Sequence, residues 1–443
     1  MKKCMNKKFM VTLLSIVMVF VLVACAGSNG GNGSGNDTTD TTAEDENGNG
    51  DNHGNGDDAG TGGFVQGVTD DTILIGNSIA TSGALAPVGV PFKAGMDAYI
   101  MMINENGGIN GRMIEYIHQD DEFNPERGLA ILDGLINDEE VFAIVGSFGT
   151  PVIGATFREL VDSGIPAVYF AAGTGVVYNE NATDGDGRNT FPVQPVFPME
   201  GRVFAAWAAG TFDAERIGVI FTNDDAGQDL VGGVRQEAET IGGLEVIAEQ
   251  VAPGADDVTA AVASILAADV DVIVIASIQG TFPQIARELA AQGNTLPALT
   301  TYVNVDRTMV DLIADDMAGD SFDIFGSSWV DMTVPEIALY QEWIAQVSNE
   351  DFSTNAFAIT GWIAMHTFAQ GLERVDDGEL TWESFIVAME VAPVENPFGS
   401  AIDFSNGSRV GTQDLALAQM SIDEATGWVP YLPFMSMAEI LGN

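Results

Sequence analysis

The polar residue best equipped for chemistry is Thr150, which follows an apolar run at 142–147 and stands directly before Pro151. A helical pattern continues from 152 to 161. Threonine at an N-cap with proline at the first helical position is a regular helix start. Such an end offers unpaired N–H groups and the positive pole of a dipole, which suits an anion such as a carboxylate. Without a ligand, the same residues are a plain cap. A second cluster, Ala171-Ala172-Gly173-Thr174, follows the next apolar run. Its small residues would let backbone approach a ligand, and Thr174 adds a hydroxyl; the alternative is a tight loop and nothing more. Catalysis finds little to work with. It needs a nucleophile with its base, paired carboxylates or a metal cluster, yet past residue 63 the histidines are His118 and His366, far apart in the chain. There is no Gly-x-Ser-x-Gly elbow and no P-loop. Asp184-Gly185-Asp186-Gly187 hints at calcium, but Arg188 stands where such a loop wants an oxygen ligand. No enzyme activity, cofactor or metal is expected.

A different chemistry belongs to Cys25. Lys2, Lys3, Lys7 and Lys8 precede an uncharged apolar run at 9–24. That run is shorter than the roughly 20 residues of a membrane span, and its basic flank is that of a secretory signal peptide at 1–24. It closes in Leu22-Val23-Ala24-Cys25, which resembles the bacterial lipobox. The resemblance implies cleavage before Cys25 and acylation of that residue; the alternative is an uncleaved anchor helix. Cleavage would remove Cys4, the only other cysteine, so no disulfide within the mature chain is expected. Residues 25–63 are read as the lipidated cysteine and a Gly/Asn/Asp tether, too polar to offset the entropy of ordering. His53 lies inside it, solvated.

Charge narrows the partners. The chain has 16 basic and 64 acidic residues, and four of the bases fall in the first 25 positions. The remainder carries 12 bases against 64 acids, a net −52, with Lys93 as its one lysine. Nucleic-acid binding needs clustered Lys and Arg and is excluded; docking on anionic lipid is disfavoured for the same reason. A strongly solvated surface is the simplest reading of the acidity.

The elements that must position Thr150 and its neighbours alternate along the chain. Runs at 73–80, 114–119, 142–147, 167–171, 217–222, 246–251, 270–277 and 297–302 read as strands, several apolar at nearly every position, as in parallel sheets buried on both faces. Helical patterns lie between them, for example Phe92, Met96, Ile100 and Ile103 on one face. Some 380 residues is too long for one ordinary core. A polar loop at 179–189 breaks the series, a second series starts at Ile217, and a late block at 334–374 is helical throughout. Two α/β halves with a cleft between them are expected.

Five segments then stand in order: Ile75-Gly76-Asn77-Ser78-Ile79-Ala80-Thr81-Ser82-Gly83, Asn104-Glu105-Asn106-Gly107-Gly108-Ile109-Asn110-Gly111, Gln119-Asp120-Asp121-Glu122-Phe123-Asn124-Pro125, Ile144-Val145-Gly146-Ser147, and Pro397-Phe398-Gly399 with Asp403-Phe404-Ser405-Asn406-Gly407. Together they resemble the type I periplasmic-binding-protein family, in its leucine/isoleucine/valine-binding branch. The resemblance implies two three-layer α/β/α lobes with parallel sheets, lobe 1 from 64–192 plus 328–412 and lobe 2 from 193–327 plus 413–443. Crossover strands near 191–195, 325–328 and 413–416 would join them. It implies a lipid-anchored, monomeric substrate-binding component of an ABC importer on the outer face of the cell membrane. Its ligand would be an amino acid, branched-chain-like, or a related carboxylate or amide, passed to a membrane permease. A sensory receptor of the same fold is the alternative.

In that family the hydroxyl residue at the place of Thr150 and its helix amides hold the ligand carboxylate. A small residue and a threonine at the place of Ala172, Gly173 and Thr174 serve both the ammonium and the carboxylate. The likeness also puts Ser82, Asp225, Ile278 and Tyr302 at the site. Four positions depart from the amino-acid binders: Val88 replaces an aromatic, Ala226 and Ile278 replace tyrosines, and Tyr302 replaces the acid that pairs with the ammonium. A buried ammonium needs a counter-charge, for which Asp224 and Asp225 are the substitutes at hand. Two readings stay open: an amino acid bound differently, or a carboxylate or amide without an ammonium.

Overall fold

Runs that are apolar at nearly every position become the central strands of two sheets. The computed structural model describes residues 65–442 apart from 184, 318–321 and 376–379; the expected signal peptide, Cys25 and the tether lie outside the described residues. In the first sheet β1 (Thr72–Ser78), β2 (Met113–Gln119), β3 (Ala143–Phe148), β4 (Ala167–Ala171) and β5 (Thr190–Phe191) lie in the order β2-β1-β3-β4-β5, all parallel. Helices α1 (Ala86–Glu105), α2 (Pro125–Asn137) and α3 (Thr150–Ser163) make the crossovers. Helix α4 (Phe197–Thr211) then leads into the second sheet.

That sheet contains β6 (Arg216–Thr222), β7 (Glu245–Val251), β8 (Val272–Ala276), β9 (Ala298–Thr300), β10 (Ile324–Ser328), β11 (Asp414–Met420) and β12 (Trp428–Ser436), in the order β12-β11-β10-β9-β8-β6-β7. Strands β6 to β10 are parallel, and β11 and β12 are antiparallel additions. Helices α5 (Asp225–Ile241), α6 (Thr259–Ala267), α7 (Phe282–Ala291) and α8 (Arg307–Met317) connect the parallel part. Between β10 and β11 the chain forms α9 (Ile337–Val347), α10 (Ala356–Glu373) and α11 (Trp382–Glu390), and α10 packs back on α1, β3 and β4 of the first half. A short α12 (Met437–Ile440) follows β12.

Strands β3 and β8 are buried at every residue because helices cover both faces of their sheets. The edge strands β2 and β7 keep exposed positions. This is the α/β architecture with parallel sheets that the sequence pattern predicts, with differences in detail. The run at 297–302 supplies only the three residues of β9, and a 3-10 turn at Tyr302–Asn304 takes over, so Tyr302 sits on a turn rather than a strand. The expected crossover segments at 325–328 and 413–416 are continuous with β10 and β11. Strand β12 was not anticipated: Pro430 and Pro433 and its half-exposed face hide the alternation, and both prolines are tolerated because the strand is an edge.

Candidate functional site

The C-terminal ends of β3, β4, β8, β9 and β10 point toward a shared cavity, the place where ligands collect in open α/β sheets. Its empty volume, counting the open mouth, is about 790 Å³. The first half contributes Phe148, Gly149 and Thr150 at the end of β3, and Ala171 and Ala172 at the end of β4; the second half contributes Ile278 and Gln279 after β8, and Tyr302 and Val303 after β9; Ser328 and Trp329 come from the end of β10, where the chain returns to the first half. The start of α10 adds Phe357 and Thr360, and the segment that crosses between the halves adds Gln194 and Phe197. Among the described residues that line it there is no Asp, Glu, Lys, Arg or His.

Helix α3 begins one residue earlier than the sequence pattern predicts. Gly149, at φ +96°, is the N-cap, and its carbonyl accepts the first helical bond from the Ile153 N–H at 2.9 Å. A side chain at Gly149 would be strained by that φ and would collide with the Phe123 ring at 2.6 Å. Thr150 is therefore the first helical residue, and its hydroxyl is released from capping. It is 6% exposed, lines the cavity, and has no hydrogen-bond partner among the described residues.

Behind the cavity runs a chain of neutral polar groups. The Tyr169 hydroxyl donates to Gln194 Oε1 at 3.0 Å, Gln194 Nε2 donates to the Tyr302 hydroxyl at 3.0 Å, and that hydroxyl donates to the Pro195 carbonyl at 2.8 Å. Tyr169 holds its place with φ +64° inside β4, beside Gly146 at φ +75° in β3, a local strain of the sort that collects at functional sites. Burial, then the charge of Glu200, push the Tyr302 phenol far above its usual range, so it stays neutral. Glu200, fully buried on α4, accepts from Thr301 Oγ1 at 2.7 Å, from the Tyr302 N–H at 3.0 Å and from the Ser327 hydroxyl. Burial raises its pKa to about 7 against the lowering effect of those three donors.

Of the residues the sequence points to, Thr150, Ala172, Ile278 and Tyr302 line the cavity. Gly173 stands just behind: a Cβ there would lie 2.6 Å from the Phe197 ring and 2.7 Å from the Tyr302 hydroxyl, so only glycine lets these three meet. Ser82, Thr174 and Asp225 do not line it. Ser82 is exposed ahead of the 3-10 turn Gly83–Leu85. Thr174 is buried, but its hydroxyl accepts from the Val176 N–H at 3.5 Å and caps the turn Gly175–Val177. Asp225 is exposed in the first turn of α5, while Asp224 caps that helix at the Gly227 N–H, 2.9 Å away. Neither acid therefore supplies a counter-charge to the cavity wall. Gln194, Gln279, Ser328, Trp329 and Thr360 were missed. Gln279 and Ser328 stand at or just past the ends of apolar strands, a positional signal that would have found them; Thr360 lies on a helix with no local mark.

A profile of the periplasmic binding protein family matches residues 72–426. The Leu/Ile/Val-binding protein homolog 2 of Brucella abortus (strain 2308) is 25% identical over 221 residues, which cover 50% of this chain but only 58% of that relative. Among solved structures, the fatty acid ABC transporter substrate-binding protein from Thermomonospora curvata aligns with a TM-score of 0.74 at 19% identity, over 86% of this chain and 96% of that one. A branched chain amino acid ABC transporter from Thermus thermophilus with bound valine aligns with a TM-score of 0.73 at 16% identity, over 84% and 99%. At such identities the two likenesses establish a shared fold.

Proposed function

The chain belongs to the periplasmic binding protein family, and from that premise we propose that it is the substrate-binding component of an ABC importer. It captures a small ligand, an amino acid or a related carboxylate or amide, between two lobes and presents it to a membrane permease. The observation that carries this reading is the cavity between the two α/β halves, walled by strand ends from both and holding the unpartnered Thr150 hydroxyl. The names of the relatives, Leu/Ile/Val-binding and ABC transporter substrate-binding, support it. The protein acts as a monomer, held outside the cell by lipid on Cys25; loss of lipid labelling in Cys25→Ser is the expected check, and unchanged labelling would refute the anchor.

Lobe 1 is taken as 64–192 plus 328–412 and lobe 2 as 193–327 plus 413–443. Closure between them excludes water and strengthens each polar contact to the ligand. It also gives the permease a form to distinguish from the open one, through the ligand's differential contacts in the two states. Among the contacts that already bridge the halves, Asp229 on α5 accepts from the Gly175 N–H at 2.7 Å, and Asp306 accepts from the Ala356 N–H at 2.9 Å. A thermal-shift screen over amino acids, carboxylates and amides should find compounds that raise the melting temperature, and X-ray scattering with such a compound at saturation should show a smaller radius of gyration. A screen in which none raises it, or a bound ligand that leaves the radius unchanged, counts against this mechanism.

A further inference from the structure

We infer that the ligand is an apolar monocarboxylate with no ammonium group, its carboxylate seated at the start of α3 and its branched or aromatic body against the aromatic wall. The inference rests on reading the cavity as the ligand site and deepens that reading. The carboxylate end is the better equipped. As the first helical residue Thr150 has a backbone N–H with no intrahelical partner, and it lies at the positive end of the helix dipole. The residue is 6% exposed and lines the cavity, and its hydroxyl has no hydrogen-bond partner among the described residues. A carboxylate would satisfy the N–H and the hydroxyl together.

The other end offers a cation aromatic faces and no counter-charge. No acidic side chain lines the cavity among the described residues. Tyr302 lines it, yet its hydroxyl proton is committed to the Pro195 carbonyl. Asp224 is spent on capping α5, and Asp225 is exposed on that helix. An amino acid would bury its ammonium beside Phe92, Phe148, Phe197, Trp329 and Phe357 without a counter-charge, an arrangement that proteins avoid because the desolvation goes unrecovered. The Ser328 and Thr360 hydroxyls already donate to the Val330 and Phe357 carbonyls, at 3.1 and 2.8 Å, but the Gln279 amide gives only one N–H to the Val303 carbonyl, at 3.4 Å, and its other N–H can donate to an uncharged oxygen next to the carboxylate, such as a keto group.

The test uses matched skeletons in calorimetric titration at neutral pH: ketoisocaproate, leucine and isocaproamide, then phenylpyruvate and phenylalanine. The keto acid of the better-fitting skeleton should bind about 100-fold more tightly than its amino acid, as a lost counter-charge predicts. Thr150→Ala should weaken it at least about tenfold and Thr150→Ser should restore it, with isocaproamide indifferent to both. A preference below tenfold, or one for the amino acid, overturns the inference and leaves the cavity reading intact. An amide that binds as tightly as the acid overturns the carboxylate seat. Silence from all five compounds with a folded protein overturns the inference and counts against the cavity reading as well.

Discussion

Replacing Arg409 by methionine should cost roughly 3–5 kcal/mol of folding stability, the loss that follows when one partner of a buried ion pair is removed. Arg409 is fully buried. Its guanidinium donates to the carbonyls of Arg188 at 2.7 Å, Ser408 at 2.8 Å and Phe404 at 3.0 Å, and pairs with Glu390. It lies 4.6 Å from the centre of the Phe191 ring. Glu390 also pairs with Arg188 at 2.7 Å, and the other arm of Arg188 reaches Glu383 at 2.8 Å. The knot ties together the loop before β5, helix α11 and the segment at 404–409, stretches some 200 residues apart that must meet for the first half to close. Methionine restores apolar volume but strips three buried carbonyls of this donor. Urea unfolding should show the midpoint moving to lower urea at unchanged slope. Arg158→Ala is the contrast, because its pairs with Asp162 and Asp186 are exposed and such pairs contribute little; its midpoint should stay put. An Arg409→Met midpoint equal to wild type would show that the knot adds nothing net.

Much of the fold is legible because parallel strands covered on both faces must be apolar throughout. The runs at 142–147, 167–171, 217–222 and 270–277 come close to that condition, broken only by Ser147, Thr222, Asp271 and Ser277, and became β3, β4, β6 and β8. Thr150 was legible as a helix start, but the cap fell on Gly149, where a φ of +96° and a Phe123 ring that a Cβ would meet at 2.6 Å both call for glycine. That contact is invisible in the local sequence. Ser82, Thr174 and Asp225 lie off the cavity wall for a related reason: a likeness transfers linear positions, while capping and helix phase decide where a side chain points. Arg188, which the sequence sets against a calcium loop, pairs with Glu383 and Glu390 on α11, partners that no local window shows. Trp329 and Thr360 reach the cavity only because the chain returns to the first half after β10, so no short window could reveal them.

Glu200→Gln should leave stability near pH 4.5 almost unchanged and raise it by about 3 kcal/mol at pH 8. The sign follows from burial, which lifts the folded-state pKa from its ordinary 4.5 to about 7. Below 4.5 the carboxyl is protonated in both folded and unfolded chains, and its contribution is complete. Between 4.5 and 7 the unfolded chain releases the proton while the folded one keeps it, so stability falls with rising pH by about 1.4 kcal/mol per unit. Above 7 both forms are ionised and the loss is constant. Glutamine mimics the protonated form: its carbonyl can accept from the Tyr302 N–H, and its amide can donate to the Thr301 hydroxyl turned as acceptor. The 64 acidic residues make the total pH dependence large, so the quantity to measure is the difference between variant and wild type in urea unfolding across pH 4.5 to 8. It should open with the midpoint of a group titrating near 7 in the folded state; a difference that does not change with pH would show that Glu200 ionises normally. The consequence reaches the cavity, because Glu200 fixes Thr301 and the Tyr302 backbone, and so the ring that lines it. Since glutamine can preserve those contacts, ligand affinity in the variant should follow wild type at low pH, and any gap should widen only as Glu200 ionises.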